Sequence, residues 1–280
     1  MCDAIEDIQR IAAFPEADGG GNPAGVAIGS ALPDSADMQR LAAEVGFSET
    51  AFAAPSGDGF RVRYFSPETE VPFCGHATIA LGAALAASQG DGVFKLILND
   101  SEITVEGRQT PAGVTAALQS PPTRSRAAPP DLVSEALDLF GYGPADLDDR
   151  IPPAIAEAGA THLVLALKDR QALTAMRYDL NTGRDFMRAH GFVTVSLIHA
   201  ETAPRLHARN PFASGGVYED PATGAAALSG YLRDIGWPHG GTLEIQQGQD
   251  MGQLSRLTAE FSDELGSSIR VSGLTRVMAT

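Results

Sequence analysis

Two helix starts constrain this chain more than any other feature. One is Cys74-Gly75-His76-Ala77, which leads into a small, very apolar helix reaching about Ala87. The other is Asp220-Pro221-Ala222-Thr223-Gly224-Ala225-Ala226-Ala227, which opens a second helix of small residues. In each half an Arg-containing strand precedes a loop, and the loop enters its Ala-rich helix through glycine. Identity between the halves is slight, so a duplication is a hypothesis about architecture and not a detected repeat. Between the halves lies Pro121-Pro122-Thr123-Arg124-Ser125-Arg126-Ala127-Ala128-Pro129-Pro130, with four prolines in ten residues. Such a stretch reads as a linker, dividing residues 1–120 from 121–280, with the last strands free to pack on either side.

The periodicity around these helices is mostly that of strands. Residues 9–29 read as a strand, the loop Gly19-Gly20-Gly21-Asn22-Pro23, and a second short strand from Gly25 to Ile28. Asp34 caps a helix running to about Val45, with Met38, Leu41 and Ala42 at helical spacing. Thr50–Ala54 and Phe60–Ser66 form a hairpin around Ser56-Gly57-Asp58-Gly59. Strands follow near 93–98, 102–107 and 113–119. The second half carries helices near 131–140, 169–177 and 181–190. Its strands lie near 161–167, 192–200, 206–210, 242–247, 255–262 and 268–277.

Composition narrows the function. Apolar residues make up 44% of the 280 and charged residues 20%, as in a folded globular chain. Twenty Lys plus Arg against 35 Asp plus Glu give a net charge of −15 with no basic cluster, which argues against nucleic acid as a partner. The longest apolar stretch, Ala77 to Ala87, is far short of the roughly 20 residues of a membrane-spanning helix. The N-terminus lacks the charged and apolar regions of a secretory signal. The two cysteines, Cys2 and Cys74, suggest no structural disulfide, and a cytoplasmic location is expected.

Chemistry concentrates near the two helix starts. A helix N-terminus exposes unpaired N–H groups and about half a positive charge, and so binds anions. Two of them facing across a cleft would hold a carboxylate-bearing small molecule; tight helix–sheet packing selects the same Gly and Ala residues. Glu49, in Phe47-Ser48-Glu49-Thr50-Ala51-Phe52, is flanked by apolar residues. Partial burial would raise its pKa into the range useful for proton transfer; the alternative is a surface Glu at a helix end. His76 could orient a substrate or pack structurally, and Asp220 could serve the site or cap a helix. The glycine run at 19–21 formally fits a dinucleotide fingerprint, but strand, not helix, follows it. There is no phosphate-binding lysine loop, zinc-type Cys/His spacing or Gly-x-Ser-x-Gly elbow.

Five segments then occur in one order: Gly21-Asn22-Pro23-Ala24-Gly25-Val26, Phe47-Ser48-Glu49-Thr50-Ala51-Phe52, Arg63-Tyr64-Phe65-Ser66-Pro67 with Glu70-Val71, Cys74-Gly75-His76-Ala77-Thr78, and Asp220-Pro221-Ala222-Thr223-Gly224. Together with Gln247-Gly248 and Met251-Gly252, they resemble the phenazine-biosynthesis isomerase-like family, within the diaminopimelate-epimerase fold superfamily. The resemblance implies an α+β fold of two similar domains, each a curved, mostly antiparallel sheet around a central helix, with the active site between them and a homodimeric assembly. It implies an isomerase that moves a proton with neither metal nor organic cofactor. Glu49 matches the family's acid/base, and His76 and Asp220 match the pair that contacts and orients the substrate. Asn22, Ser48, Gly75, Gly224 and Ala225 match pocket positions. Where epimerases place two facing cysteines, this chain has Cys74 and Thr223, and a threonine cannot complete a two-thiol pair. Ala225-Ala226 also departs from the Ser, Asn or His that relatives often carry there. Two rival readings belong to other classes: a binding protein that keeps the pocket without turnover, and an enzyme using Cys74 as nucleophile.

Overall fold

The structure is a computed structural model, describing residues 8–16, 19–238 and 240–279. Cys2 and the N-terminal segment discussed above lie outside the described residues. The first half runs β1 (Gln9–Ala13), β2 (Asn22–Ile28), α1 (Ser35–Val45), β3 (Glu49–Ser56), β4 (Gly59–Phe65), β5 (Glu70–Val71), α2 (Gly75–Gln89), β6 (Gly92–Ile97), β7 (Glu102–Thr110) and β8 (Gly113–Gln119). The second half begins with β9 (Arg124–Ala127), α3 (Pro130–Phe140), β10 (Ala154–Glu157), β11 (Thr161–Ala166), α4 (Arg170–Thr174), α5 (Leu180–His190) and β12 (Thr194–Ala200). It continues through β13 (Arg205–Arg209), β14 (Pro211–Phe212), β15 (Val217–Glu219), α6 (Ala225–Asp234), β16 (Thr242–Gln247), β17 (Ser255–Glu260) and β18 (Arg270–Val277).

The pairing repeats. The first half lays its strands in the order β1-β2-β3-β4-β6-β7-β8, and the second as β10-β11-β12-β13-β16-β17-β18. Parallel pairs fall at equivalent places: β2–β3 and β11–β12, then β4–β6 and β13–β16. The central helix of each half, α2 or α6, is the crossover of its second parallel pair, as parallel neighbours require. The remaining pairs along the path are antiparallel. β18 joins the halves. Its residues 270–272 pair with β17 and its residues 275–277 with β1, while residues 270–275 pair with β8. Seven strands of the first half and β18 thus close a ring around α2.

The composition of the two helices explains the wrapping. Every residue of α2 from His76 to Ala86 is buried, and α6 is buried from Ala225 to Arg233. A helix apolar on all sides must be covered on all sides. α2 packs against β1, β2, β3, β6, β7, β8 and β18, and α6 against β9, β10, β11, β17 and β18. Small residues permit close approach: a Cβ on Gly107 of β7 would lie 2.3 Å from the Gly82 carbonyl oxygen of α2. One apolar core runs through both halves, and the outer helices cover the outside in two smaller clusters. Asp34 caps α1 as expected, accepting from Asp37 N at 2.8 Å.

Three local expectations need correction. The proline-rich 121–130 segment is not all linker, because Arg124–Ala127 pairs with β10. Its prolines bracket those four residues, leaving their N–H groups free for pairing. β10 itself was not expected; four residues Ala-Ile-Ala-Glu give too little alternation to announce a strand. The helix expected at 169–177 is only Arg170–Thr174, capped by Asp169. Among the described residues, no helix is long and apolar enough to cross a membrane.

The α2–β7 contact yields a stability prediction. Gly107→Ala should destabilise the protein by roughly 1–3 kcal/mol, because the added methyl meets backbone rather than a movable side chain. Equilibrium urea unfolding measures it; an unchanged midpoint would show that α2 can move aside.

Candidate active site

The strand and helix starts bring the candidate residues together. Asn22 opens β2 and Glu49 opens the parallel β3, where it lies opposite Ala24. Cys74 is the N-cap of α2, and Gly224, in the left-handed region at φ 73°, is the N-cap of α6. Both helix starts open on one cleft, lined by Glu49, Cys74, Gly75, His76, Thr223, Gly224 and Ala225 together with apolar side chains such as Phe14, Phe73 and Phe212. Asn22, Ser48 and Asp220 are not part of that lining. Ser48 contacts His76 and Asp220 accepts from Ala222 N, both of the lining, while Asn22 donates to Asp220.

Glu49 is strongly perturbed by this setting. It is 5% exposed, and its Oε2 has no hydrogen-bond partner among the described residues while lying 3.5 Å from His76 Nε2. Burial, reinforced by the nearby Asp220 charge, pushes its carboxyl up to about 8 despite bonds from Ser48 and Cys74 that favour the anion. The surface reading of Glu49 therefore does not describe it. His76 is also buried, with Nε2 3.3 Å from Ser48 Oγ and Nδ1 3.3 Å from Cys74 Sγ. Burial lowers the pKa of this ring, with Asp220 opposing the change. Burial raises the Cys74 thiol well above its ordinary value, and Glu49 adds to the shift. A thiol held protonated is a poor nucleophile, which weakens the reading of Cys74 as an attacking group.

Asp220 does not cap α6. Its Oδ1 accepts from Asn22 Nδ2 at 2.8 Å and from Ala222 N at 2.9 Å, joining β2 of one half to the α6 approach of the other. Its Oδ2 is buried without a partner among the described residues. The loop is braced from both sides. Gln247 accepts from Thr223 N at 2.7 Å and donates to Thr223 O at 2.9 Å, and Arg209 Nε donates to the buried Glu219 at 3.0 Å. Thr223 stands on the α6 side of the cleft and Cys74 on the α2 side, so only one thiol is available there.

Some participants had no sequence signal. Gln247 was marked only by family resemblance, and its clamp on Thr223 depends on β16 passing behind the loop. His162 lines the second half of the cleft and falls in the strand expected near 161–167, with no motif around it. Glu49, Cys74 and His76 bring a carboxylate oxygen, a sulfur and a ring nitrogen within 4.8 Å of one another, donors of the kind that bind zinc. Using them so would require Cys74 to give up the proton that its burial retains.

Known proteins match this chain in sequence and fold. The family model described as "Phenazine biosynthesis-like protein" matches residues 11–279. A Deinococcus radiodurans protein named an uncharacterized isomerase is 34% identical over 226 residues, covering 78% of this chain and 72% of its own. The trans-2,3-dihydro-3-hydroxyanthranilate isomerase of Pseudomonas aeruginosa is 32% identical over 266 residues, with 90% of each chain covered. The solved structure of a Pseudomonas aeruginosa protein named a predicted epimerase superposes with a TM-score of 0.84 at 25% identity, covering 97% of this chain and 96% of the other.

The raised Glu49 pKa has a stability consequence. Between the ordinary 4.5 and about 8, the folded protein holds a proton on Glu49 that the unfolded chain has lost. Stability contributed by this group is therefore complete below the lower value and falls as pH rises through the window. Glu49→Gln should stabilise the protein over wild type by a margin that grows from about pH 5 to 8 and then levels. Thermal unfolding at a series of pH values measures it; a margin independent of pH would show that Glu49 is not held neutral.

Proposed function

The chain belongs to the phenazine biosynthesis-like family, and we propose that it isomerises a small carboxylate-bearing substrate by moving one proton on Glu49. The observation that carries this reading is the unpaired Glu49 oxygen at the cleft, on a carboxyl shifted to about 8 by burial. A group titrating near the working pH can both take and return a proton, which is what acid–base catalysis asks of it.

In this reading the substrate carboxylate sits at the N-termini of α2 and α6, where unpaired N–H groups and the helix dipoles favour an anion. Glu49 removes a proton from an acidic C–H, the electron pair shifts along the conjugated system, and Glu49 returns the proton to another carbon. His76 holds a polar substituent so that both carbons stay within reach of one carboxylate, and Asp220, behind the lining, acts through its charge on Glu49. The single thiol at Cys74 supports a one-carboxylate route over a two-thiol racemisation. The compound to try first is trans-2,3-dihydro-3-hydroxyanthranilate, after the Pseudomonas aeruginosa relative, followed by cyclic diene carboxylates.

Deuterium from solvent should enter such a compound in the presence of wild type, and Glu49→Gln should lower that rate by at least roughly 10²–10⁴-fold. A Gln variant that exchanges normally would overturn the assignment. The working form in the free enzyme is the Glu49 carboxylate, so kcat/KM should rise about tenfold per pH unit below a midpoint near 8 and flatten above it. A profile flat from pH 5 to 8 would be incompatible with a base of this pKa.

A further inference from the structure

We propose that His162 is a further catalytic residue, an uncharged hydrogen-bond donor that meets the substrate oxygen on which negative charge develops when Glu49 removes its proton. This proposal rests on the proton-transfer reading of the cleft. It concerns the opposite wall, which belongs to the second half of the chain.

The cleft poses a problem that His162 can solve. No Lys or Arg is among the residues lining it, yet removing a proton from a carbon beside a carboxylate or carbonyl leaves an electron pair that must settle on oxygen. Helix N-termini can meet part of that charge. A polar side chain aimed at the same place would meet more, and preorganised donors of this kind act strongly where water is excluded.

His162 has the required placement. It lies on β11, is 4% exposed and lines the cleft. A Cβ on Gly224 would stand 3.5 Å from its Nδ1 and 3.6 Å from its Cε1, so the ring packs against the α6 N-cap itself. Nδ1 is 2.7 Å from Thr194 Oγ1. Nε2 has no protein partner among the described residues and is not among their sealed, unsatisfied atoms, so it opens on the cleft.

The bond to Thr194 fixes which nitrogen carries the proton. Thr194 is fully buried, and among the described residues its hydroxyl has no other acceptor. If Nδ1–H donated to Oγ1, the hydroxyl proton would be stranded, at the cost of an unmade buried bond. The hydroxyl therefore donates to Nδ1, and the ring proton sits on Nε2, facing the cleft. Burial lowers the ring to about 4, so it is uncharged at neutral pH. A neutral imidazole of this kind polarises an oxygen without protonating it. The step balances: the C–H electron pair moves into a C=C–O⁻ unit, the proton rests on Glu49, and His162 keeps its own proton. The pair then flows back to form the new C–H bond with the proton from Glu49.

The test uses full-length protein with 15N-labelled histidines, and His162→Gln identifies the resonance. Without ligand, His162 is expected in the Nε2–H form; the Nδ1–H form would overturn the proposal. Saturating benzoate, a plain carboxylate probe, is expected to shift Nε2 and slow exchange of its proton with water, in wild type and in Glu49→Gln alike. Benzoate that moves the Gly224 and Ala225 amides but leaves His162 unchanged would also overturn it. On a compound that takes up deuterium, His162→Leu should lower kcat by roughly 10²–10³-fold with little change in KM, and His162→Gln, which keeps an N–H donor, should recover part of it. A loss confined to KM would make His162 a binding group only and defeat the proposal. The tautomer and benzoate measurements need no turnover, so they remain readable even if no compound exchanges and the Glu49 reading falls.

Discussion

A helix buried on every side leaves a chain few solutions, and this protein contains two such helices. A sheet offers one apolar face, so a flat sheet could cover only one side of α2. Here the strands of each half curl until the helix is enclosed, and the ring around α2 is completed by β18. Small residues set the closeness of that enclosure, with Gly82 of α2 against Gly107 of β7 and Gly230 of α6 against Thr123. Because each helix is covered along its length, only its N-terminus is free to face a ligand. The site thus follows from the packing problem: two enclosed helices present their positive ends to one cleft.

The electrostatics of that cleft are unusual for the anion site proposed for it. No cationic side chain lines it, while Glu49 and Asp220 bring two carboxyl groups close enough for the charge on one to raise the pKa of the other. In the proposed reaction, attraction for a substrate carboxylate comes from helix ends and neutral donors. Holding Glu49 protonated over much of the physiological range limits the repulsion such a substrate would meet. The supporting contacts cross between halves, with Asn22 of β2 donating to Asp220 beside α6. Any change in the angle between the halves would therefore be felt at Glu49, through the distance to that charge.

Much of this was legible in the chain because it rests on local chemistry. The cap at Asp34, the hairpin around Gly57 and the Gly-opened helices are statements about neighbours in sequence, and they describe the structure well. The buried setting of Glu49 could be argued from its apolar flanks. Other features depend on which strands meet. β9 and β10 are four residues each, and neither carries a pattern that separates it from a loop; β10 forms because β11 is there to pair with, and β9 because β10 is. His162 shows the same limit within the site. Its spacing in Thr161–Ala166 is that of any strand residue, and only the parallel neighbour β12 supplies Thr194 to fix its ring. Gln247 reaches Thr223 through a strand pairing that no local motif encodes.

The split pairing of β18 also bears on how the protein is made. A ribosome releases a chain from its N-terminal end, so β1 to β8 emerge together while residues 270–277 are still to be translated. Until β18 arrives, the first half is an open sheet with unpaired edges at β1 and β8, and exposed edges invite pairing with other chains. The second half cannot finish earlier, since β17 uses the opening residues of the same strand. Neither half gains a head start from being synthesised first. Completion becomes one late event, and the nascent first half has to be kept from the wrong neighbours until then.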